Sequence, residues 1–149
     1  MNVDGLGDDD IRDILATTRR IALVGASVTP SRASFQVTQF LLAHGYDVTP
    51  VNPGLAGQRL HDRAVAADLD QAAPLDMVDL FRASEHVGSS VDAAIRLGAR
   101  TVWMQLGVVN EAAATAARAA GLRVVMDRCP KIEWARLGLR HPTLPRGGA

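Results

Sequence analysis

At 149 residues, with 48% hydrophobic and 21% charged side chains, the chain has the length and the apolar content of one globular domain with a real core. Lys plus Arg and Asp plus Glu both number 16, so the formal net charge is zero, which excludes a bulk attraction to nucleic acid or anionic lipid. Cys129 is the single cysteine, which excludes an intramolecular disulfide framework and a zinc site built from a cysteine cluster.

The N-terminus, Met1 to Asp10, is acidic and Gly-rich, with no basic stretch ahead of an apolar one, and no later run approaches about 18 apolar residues. A cytoplasmic protein without a membrane partner is expected. From Asp8 to Thr18, Ile11, Ile14 and Leu15 fall at i, i+3, i+4 and predict a short lid or brace helix. Ile21-Ala22-Leu23-Val24, unbroken and closed by Gly25, predicts a first strand buried on both faces of a parallel sheet. A loop from Gly25 to Ala33 leads into a helix over about Ser34 to His44, with Val37, Phe40, Leu41 and His44 on one face and Gly45 as its stop. A second strand, Asp47 to Val51, ends at the turn Asn52-Pro53-Gly54.

Mixed polarity from Leu55 to Ala73 supports only a short strand near Arg59 and a helical turn at Asp68 to Gln71. Met77 to Phe81 is the third clear strand, and a helix follows from Ser84 to Leu97 with Gly98 behind it. Thr101 to Met104 is a fourth strand. Asn110 caps an Ala-rich helix, Glu111 to Ala120, which Gly121 ends, and Arg123 to Met126 is a fifth strand. A C-terminal helix around Ile132 to Leu137 precedes a tail, 139–149, with the composition of a frayed end. This alternation predicts an α/β, Rossmann-like fold: a doubly wound parallel sheet of about five strands, order 3-2-1-4-5, with helices on both faces. The whole chain reads as one domain with its core over 21–133.

In such a sheet, ligands bind beyond the carboxyl ends of the strands, where strand order reverses. The segments there carry Arg32, Arg82, Arg128 and Lys131 against few acids, an arrangement suited to an anionic ligand. Gly25 permits a tight turn, and the amides leading into the helix near Ser34 present partial positive charge to a phosphate. Gly25-Ala26-Ser27-Val28-Thr29-Pro30 is neither the dinucleotide fingerprint nor a P-loop, so taken alone it marks a phosphate site and no more. The second strand ends in Val51-Asn52-Pro53-Gly54, without the acid that holds the ribose of NAD. Asn52 leaves room for a phosphorylated ribose, which suits NADP or coenzyme A.

Five blocks carry a family resemblance: Val24-Gly25-Ala26-Ser27 with Pro30 and Arg32; Val51-Asn52-Pro53; Val78 to Arg82 with Ser84-Glu85; Val102 to Val108; and Met126 to Glu133 with its Cys129-Pro130 turn. Over about Ile21 to Glu133 the chain resembles the small stand-alone CoA-binding proteins, whose domain is similar to the N-terminal CoA-binding domain of the succinyl-CoA synthetase alpha subunit. The resemblance implies bound CoA or acyl-CoA, with the pyrophosphate over Gly25 to Ser34 and the adenosine near Asn52 to Gly54 and Phe81 to Ser84. It implies a pantetheine arm running toward Gln105, Gly107 and Val108. In this reading the loop amides with Ser27 or Ser34 hold the pyrophosphate, Arg32, Arg82 and Lys131 neutralise the phosphates, and Phe81 with Pro53 flanks the adenine.

The chain departs from the synthetase subunit in ending before any second domain with a phosphorylated histidine. His44, His61, His86 and His141 form no cluster in sequence and read as surface or packing residues. No catalytic constellation and no metal site is expected, so the chain reads as a binding protein rather than an enzyme. Cys129, beside Arg128 and Lys131, reads as a turn residue next to the ligand, with a reactive thiol as the sharper alternative. Trp103 and Trp134 read as core, and Asp79, an acid inside a buried strand, is expected to find a backbone or hydroxyl partner. Two other functions stay open: an NADP-dependent oxidoreductase domain, against which the single tyrosine, Tyr46, lies at the wrong end of the sheet, and a CoA-responsive regulatory subunit. A homo-oligomer or an unidentified protein partner also stays open.

Overall fold

The computed structural model describes residues 2–139; the expected C-terminal tail, beyond Leu139, and His141 lie outside them. α1 (Asp8–Thr17) starts on three acids, which suit the positive end of a helix, and buries Ile11, Ile14 and Leu15 completely. It is therefore a brace, not a lid. β1 (Arg20–Val24), α2 (Ala33–Ala43) and β2 (Asp47–Val51) follow within a few residues of the expected bounds. The segment of mixed polarity forms an antiparallel pair, β3 (Arg59–Leu60) with β4 (Arg63–Ala64), and then α3 (Leu69–Ala72), whose first turn is capped by Asp68 accepting from Gln71 N. The chain continues through β5 (Met77–Leu80), α4 (Gly88–Arg96), β6 (Thr101–Met104), α5 (Glu111–Ala119), β7 (Arg123–Val125) and α6 (Pro130–Leu137).

β2, β1, β5, β6 and β7 form one parallel sheet in that order. Counted over these five strands the order is 2-1-3-4-5. The expected 3-2-1-4-5, with Met77–Phe81 as strand three, would put that strand outside β2, whereas β5 pairs with β1 on its other side, Asp79 opposite Leu23. What runs outside β2 is the end of the β3–β4 segment, joined to the sheet by one parallel bridge between Val51 and Ala66. That bridge is the outer position of a doubly wound sheet shrunk to a single residue. Its polar approach through Gln58, Arg59, Asp62 and Arg63 carries no apolar run, which is why periodicity shows no full strand there.

The two sheet faces sort by alternation. Ala22, Val24, Val78, Leu80, Val102, Met104 and Val124 point to the face covered by α3, α4 and α5, where alanines at 113, 114 and 117 allow a close approach. Ile21, Leu23, Met77, Trp103 and Val125 point to the face covered by α1, α2 and α6. Trp103 is fully buried there, its indole N–H donating to Arg128 O at 2.8 Å, and Trp134 packs edge-on against Tyr46 and Phe40, so both tryptophans are core. The Tyr46 hydroxyl donates to Leu15 O at 2.5 Å and ties β2 to the end of α1. Tyr46→Phe should cost about 1 kcal/mol in urea unfolding, because it strands a buried carbonyl; an unchanged midpoint would remove that tie from the account of stability.

Candidate functional site

β1 leads through α2 to β2 on one side, and the chain returns to place β5 on the other, so strand order reverses between β1 and β5. A cleft of about 590 Å³ opens at their carboxyl ends. Gly25, Ala26, Ser27, Arg32, Asn52, Gly54, Phe81 and Arg82 all line it. Eight residues singled out from the sequence thus meet in one place.

Gly25 makes that meeting possible. Its φ of 88° is left-handed, and a Cβ there would lie 2.3 Å from Phe81 O, so the first loop can lie on the end of β5 only if residue 25 has no side chain. Its amide and that of Ala26 both donate to Val51 O, at 3.0 and 3.2 Å, and are spent on the sheet. The amides that open α2 are different. The helix ladder starts with Gln36 N to Arg32 O, so the N–H groups of Ala33, Ser34 and Phe35 come before it. Arg32, the cap residue, makes no side-chain cap, and the first turn holds no acid. A helix start with its positive end left uncovered, beside Arg32, has the electrostatics of an anion site.

The remaining expected residues divide. Pro53 lines a neighbouring cavity of about 260 Å³ that Arg82 also borders. Asn52 faces the cleft, but its Nδ2 donates to Ala26 O at 2.8 Å and its Oδ1 accepts from Gly54 N at 2.9 Å, so it fastens the two loops together. Ser27 faces the cleft while its Oγ accepts from Thr29 N; Pro30 is exposed outside the lining, and Ser34 is buried beneath it. Ser84 holds loops too: its hydroxyl donates to Gly107 O at 3.3 Å and accepts from Val109 N at 3.0 Å, while Asn110 Nδ2 donates to Ser84 O. Gly107 N donates to Asp127 Oδ1, and Gln105 is buried below this loop. Lys131 is exposed in the first turn of α6, away from the cleft lining.

Arg128 corrects the expected cationic rim. It is 4% exposed and fully engaged: two nitrogens reach the Asp4 carboxylate at 2.8 and 2.9 Å, a third reaches Glu133 at 2.8 Å, and Leu6 O accepts a further bond. It holds the N-terminal segment down and presents no charge to a ligand. Cys129, next to it, is buried and lines a separate cavity of about 370 Å³ with Leu106 and Ile132. Asp79 also differs from expectation, since among the described residues neither carboxyl oxygen has a hydrogen-bond partner, and burial pushes the carboxyl well up.

Val28, Thr29 and Ala83, inside the loops that the sequence places at the ligand, also line the cleft, and Leu55 and His86, which sequence reasoning did not place there, complete it. The Ser84–His86 turn of 3-10 helix swings His86 toward it, where a continuous helix was expected. His44, by contrast, stacks on Phe40, and His61 lies tilted against Phe35, both as packing residues. Among the described residues no group of three His, Cys, Asp or Glu side chains could hold a metal ion, and no helix is long and apolar enough to cross a membrane.

The fold has counterparts. The protein of Pyrococcus horikoshii OT3 described as hypothetical superposes with a TM-score of 0.87 at 41% identity, over 93% of this chain and 97% of that one. YneT of Bacillus subtilis (strain 168), described as uncharacterized, is 35% identical over 126 residues, 85% of this chain and 93% of its own. A dinucleotide-forming acetyl-coenzyme A synthetase from Ca. Korarchaeum cryptofilum shares the fold over 75% of this chain and 26% of its own, with a TM-score of 0.64 at 22% identity. The model of the CoA binding domain matches residues 19–135, from the start of β1 into α6 and across the whole cleft, and the chain belongs to that CoA-binding domain family.

Proposed function

We propose that the chain binds coenzyme A or an acyl-CoA in the cleft between β1 and β5, with the pyrophosphate at the start of α2. The observation that carries this reading is the uncapped, acid-free N-terminus of α2 set beside Arg32 and Arg82 at the switch point of a CoA-binding-domain fold. Arg82 borders both the large cleft and the cavity next to Pro53, which suits a ligand with phosphates on one side and an adenosine on the other. Phe81 and Pro53 supply the apolar contacts for the base. The reading is of a binding protein, and no reaction is assigned to it.

CoA should raise the thermal midpoint well above the shift produced by NAD or ADP at equal concentration. Arg32→Ala and Arg82→Ala should each weaken CoA binding about tenfold at low salt, with the penalty shrinking as salt rises. Equal shifts from CoA and NADP would overturn the assignment. The oxidoreductase alternative has less support, because Tyr46 is buried with its hydroxyl on Leu15 O and lies before β2, at the end of the sheet away from the cleft.

A further inference from the structure

Among the described residues, three buried side-chain oxygens have no hydrogen-bond partner: Oδ1 and Oδ2 of Asp79 and Oε1 of Gln105. Asp79 is fully buried and Gln105 is 5% exposed. They belong to neighbouring strands. Asp79 sits opposite Leu23 and Trp103, and the ladder continues past β6 with Gln105 N donating to Leu80 O at 3.3 Å. Gln105 is thus two residues beyond Trp103 on the same sheet face, a diagonal neighbour of Asp79 within reach of a long side chain.

Four buried donors on this side of the sheet are committed elsewhere. Trp103 donates to Arg128 O, Thr38 to Ser34 O and Tyr46 to Leu15 O, while Arg128 is taken by Asp4, Glu133 and Leu6 O. The buried charged or titratable groups on this face are those of Tyr46, Cys129, Asp4, Arg128 and Glu133; the buried residues of α1 and α2 include none. An ionised carboxylate here would be a buried charge without a counter-ion, the most unfavourable state available to it. A carboxylic acid removes the charge and creates the missing donor, and Gln105 Oε1 is the missing acceptor.

We propose that Asp79 is a neutral carboxylic acid whose O–H is donated to Gln105 Oε1, making Asp79 the positioning residue for the 105–109 loop. That loop is fastened to the cleft wall, because Gly107 O and Val109 N both bond the Ser84 hydroxyl two residues after Arg82. The proton on Asp79 therefore steadies the wall that carries Arg82. Burial raises the Asp79 carboxyl in the folded state, so its stabilising proton is fully present below about pH 4, the unfolded value, and is lost as pH rises through the folded one.

Infrared spectra of the whole chain at pH 7 test this directly. A protonated carboxylic acid band is expected in the native protein, absent from Asp79→Asn and moved to higher frequency in Gln105→Met, where the O–H loses its acceptor. Asp79→Asn, whose amide can donate to the same Oε1, should fold and should flatten the fall of the thermal midpoint as pH rises above about 4. No acid band assignable to Asp79 at neutral pH, or a band that Gln105→Met leaves in place, overturns the proposal.

Discussion

Gly25→Ala is expected to lower the thermal midpoint by about 10 °C or more, the effect of losing about 3–5 kcal/mol in a domain of this size. Two causes act together. The backbone at residue 25 is left-handed, with φ at 88°, which costs an L-residue about 1 kcal/mol or more. The new methyl would also lie 2.3 Å from Phe81 O, 3.0 Å from its carbonyl carbon and 3.2 Å from its Cβ. Two of those three atoms are backbone, and the Phe81 amide is fixed at the end of the β1–β5 pair by donating to Val24 O at 2.9 Å, so relief requires the loop to lift off the sheet. Gly107→Ala separates the causes, because residue 107 has a similar φ of 78° with nothing within 4 Å of a Cβ. It should lose only about 1 kcal/mol. Because the lifted loop leads into α2, Gly25→Ala should also abolish the CoA-induced shift at temperatures where it stays folded. If the two variants melt within about 2 °C of each other, the close contact with Phe81 does not limit the site.

That contrast shows what the sequence could carry. Gly25 was legible because a strand closed by glycine is a local pattern, and the same holds for the strands β1, β5 and β6 and for the Ala-rich α5 with its Asn110 cap. Strand order was less legible. An unbroken apolar run says that a strand is covered on both faces and says nothing about which strands lie beside it. The outer position beyond β2 is filled by a segment whose only backbone bridge to the sheet among the described residues is at Ala66, too little to leave a periodic trace.

The candidate site was legible where a residue acts through its own loop and misread where its partner is distant in sequence. Arg32 and Arg82 face the cleft as their positions after strands implied. Arg128 occupies an equivalent position after β7, yet its charge is absorbed by Asp4, which lies 124 residues earlier in the chain. Asn52 reads from the sequence as a partner for a phosphorylated ribose, and Ser84 belongs to the adenosine end that the resemblance implies. Their hydrogen bonds go to neighbouring loops, to Ala26 O and Gly54 N and to Gly107 O and Val109 N. These bonds set the shape of the cleft before a ligand arrives, so their effect on affinity runs through loop geometry.

Arg128→Met should be as damaging as the glycine variant, at about 3–5 kcal/mol, because it breaks a buried ion pair by removing one side only. Asp4 would keep its bonds from Leu6 N and Met126 N but lose both guanidinium contacts, while its side chain stays without solvent. Glu133 would retain Arg136, at 3.0 Å, so the greater penalty falls on the N-terminal segment. Residues 2–6 should then exchange their amide hydrogens faster than the strands do. Acid reaches the same cluster by another route. Burial, the largest single influence, would raise the Asp4 and Glu133 carboxyls, but hydrogen bonds to Asp4 from Arg128, Leu6 N and Met126 N, hydrogen bonds to Glu133 from Arg136 and Arg128, and the attraction of these arginine charges together outweigh it, and both are held below the ordinary carboxylate range. Their stabilisation is present above about pH 4 and is lost as pH falls through the lowered folded values, opposite in sign to the contribution of Asp79. Arg128→Met should therefore lose stability at neutral pH and flatten the acid limb of the stability profile, while leaving the alkaline limb unchanged. Adding Asp4→Leu to Arg128→Met should recover part of the loss, since it removes the stranded charge. A single Arg128→Met variant within about 1 kcal/mol of the native protein would mean that the Asp4 strap is held by packing and not by the ion pair.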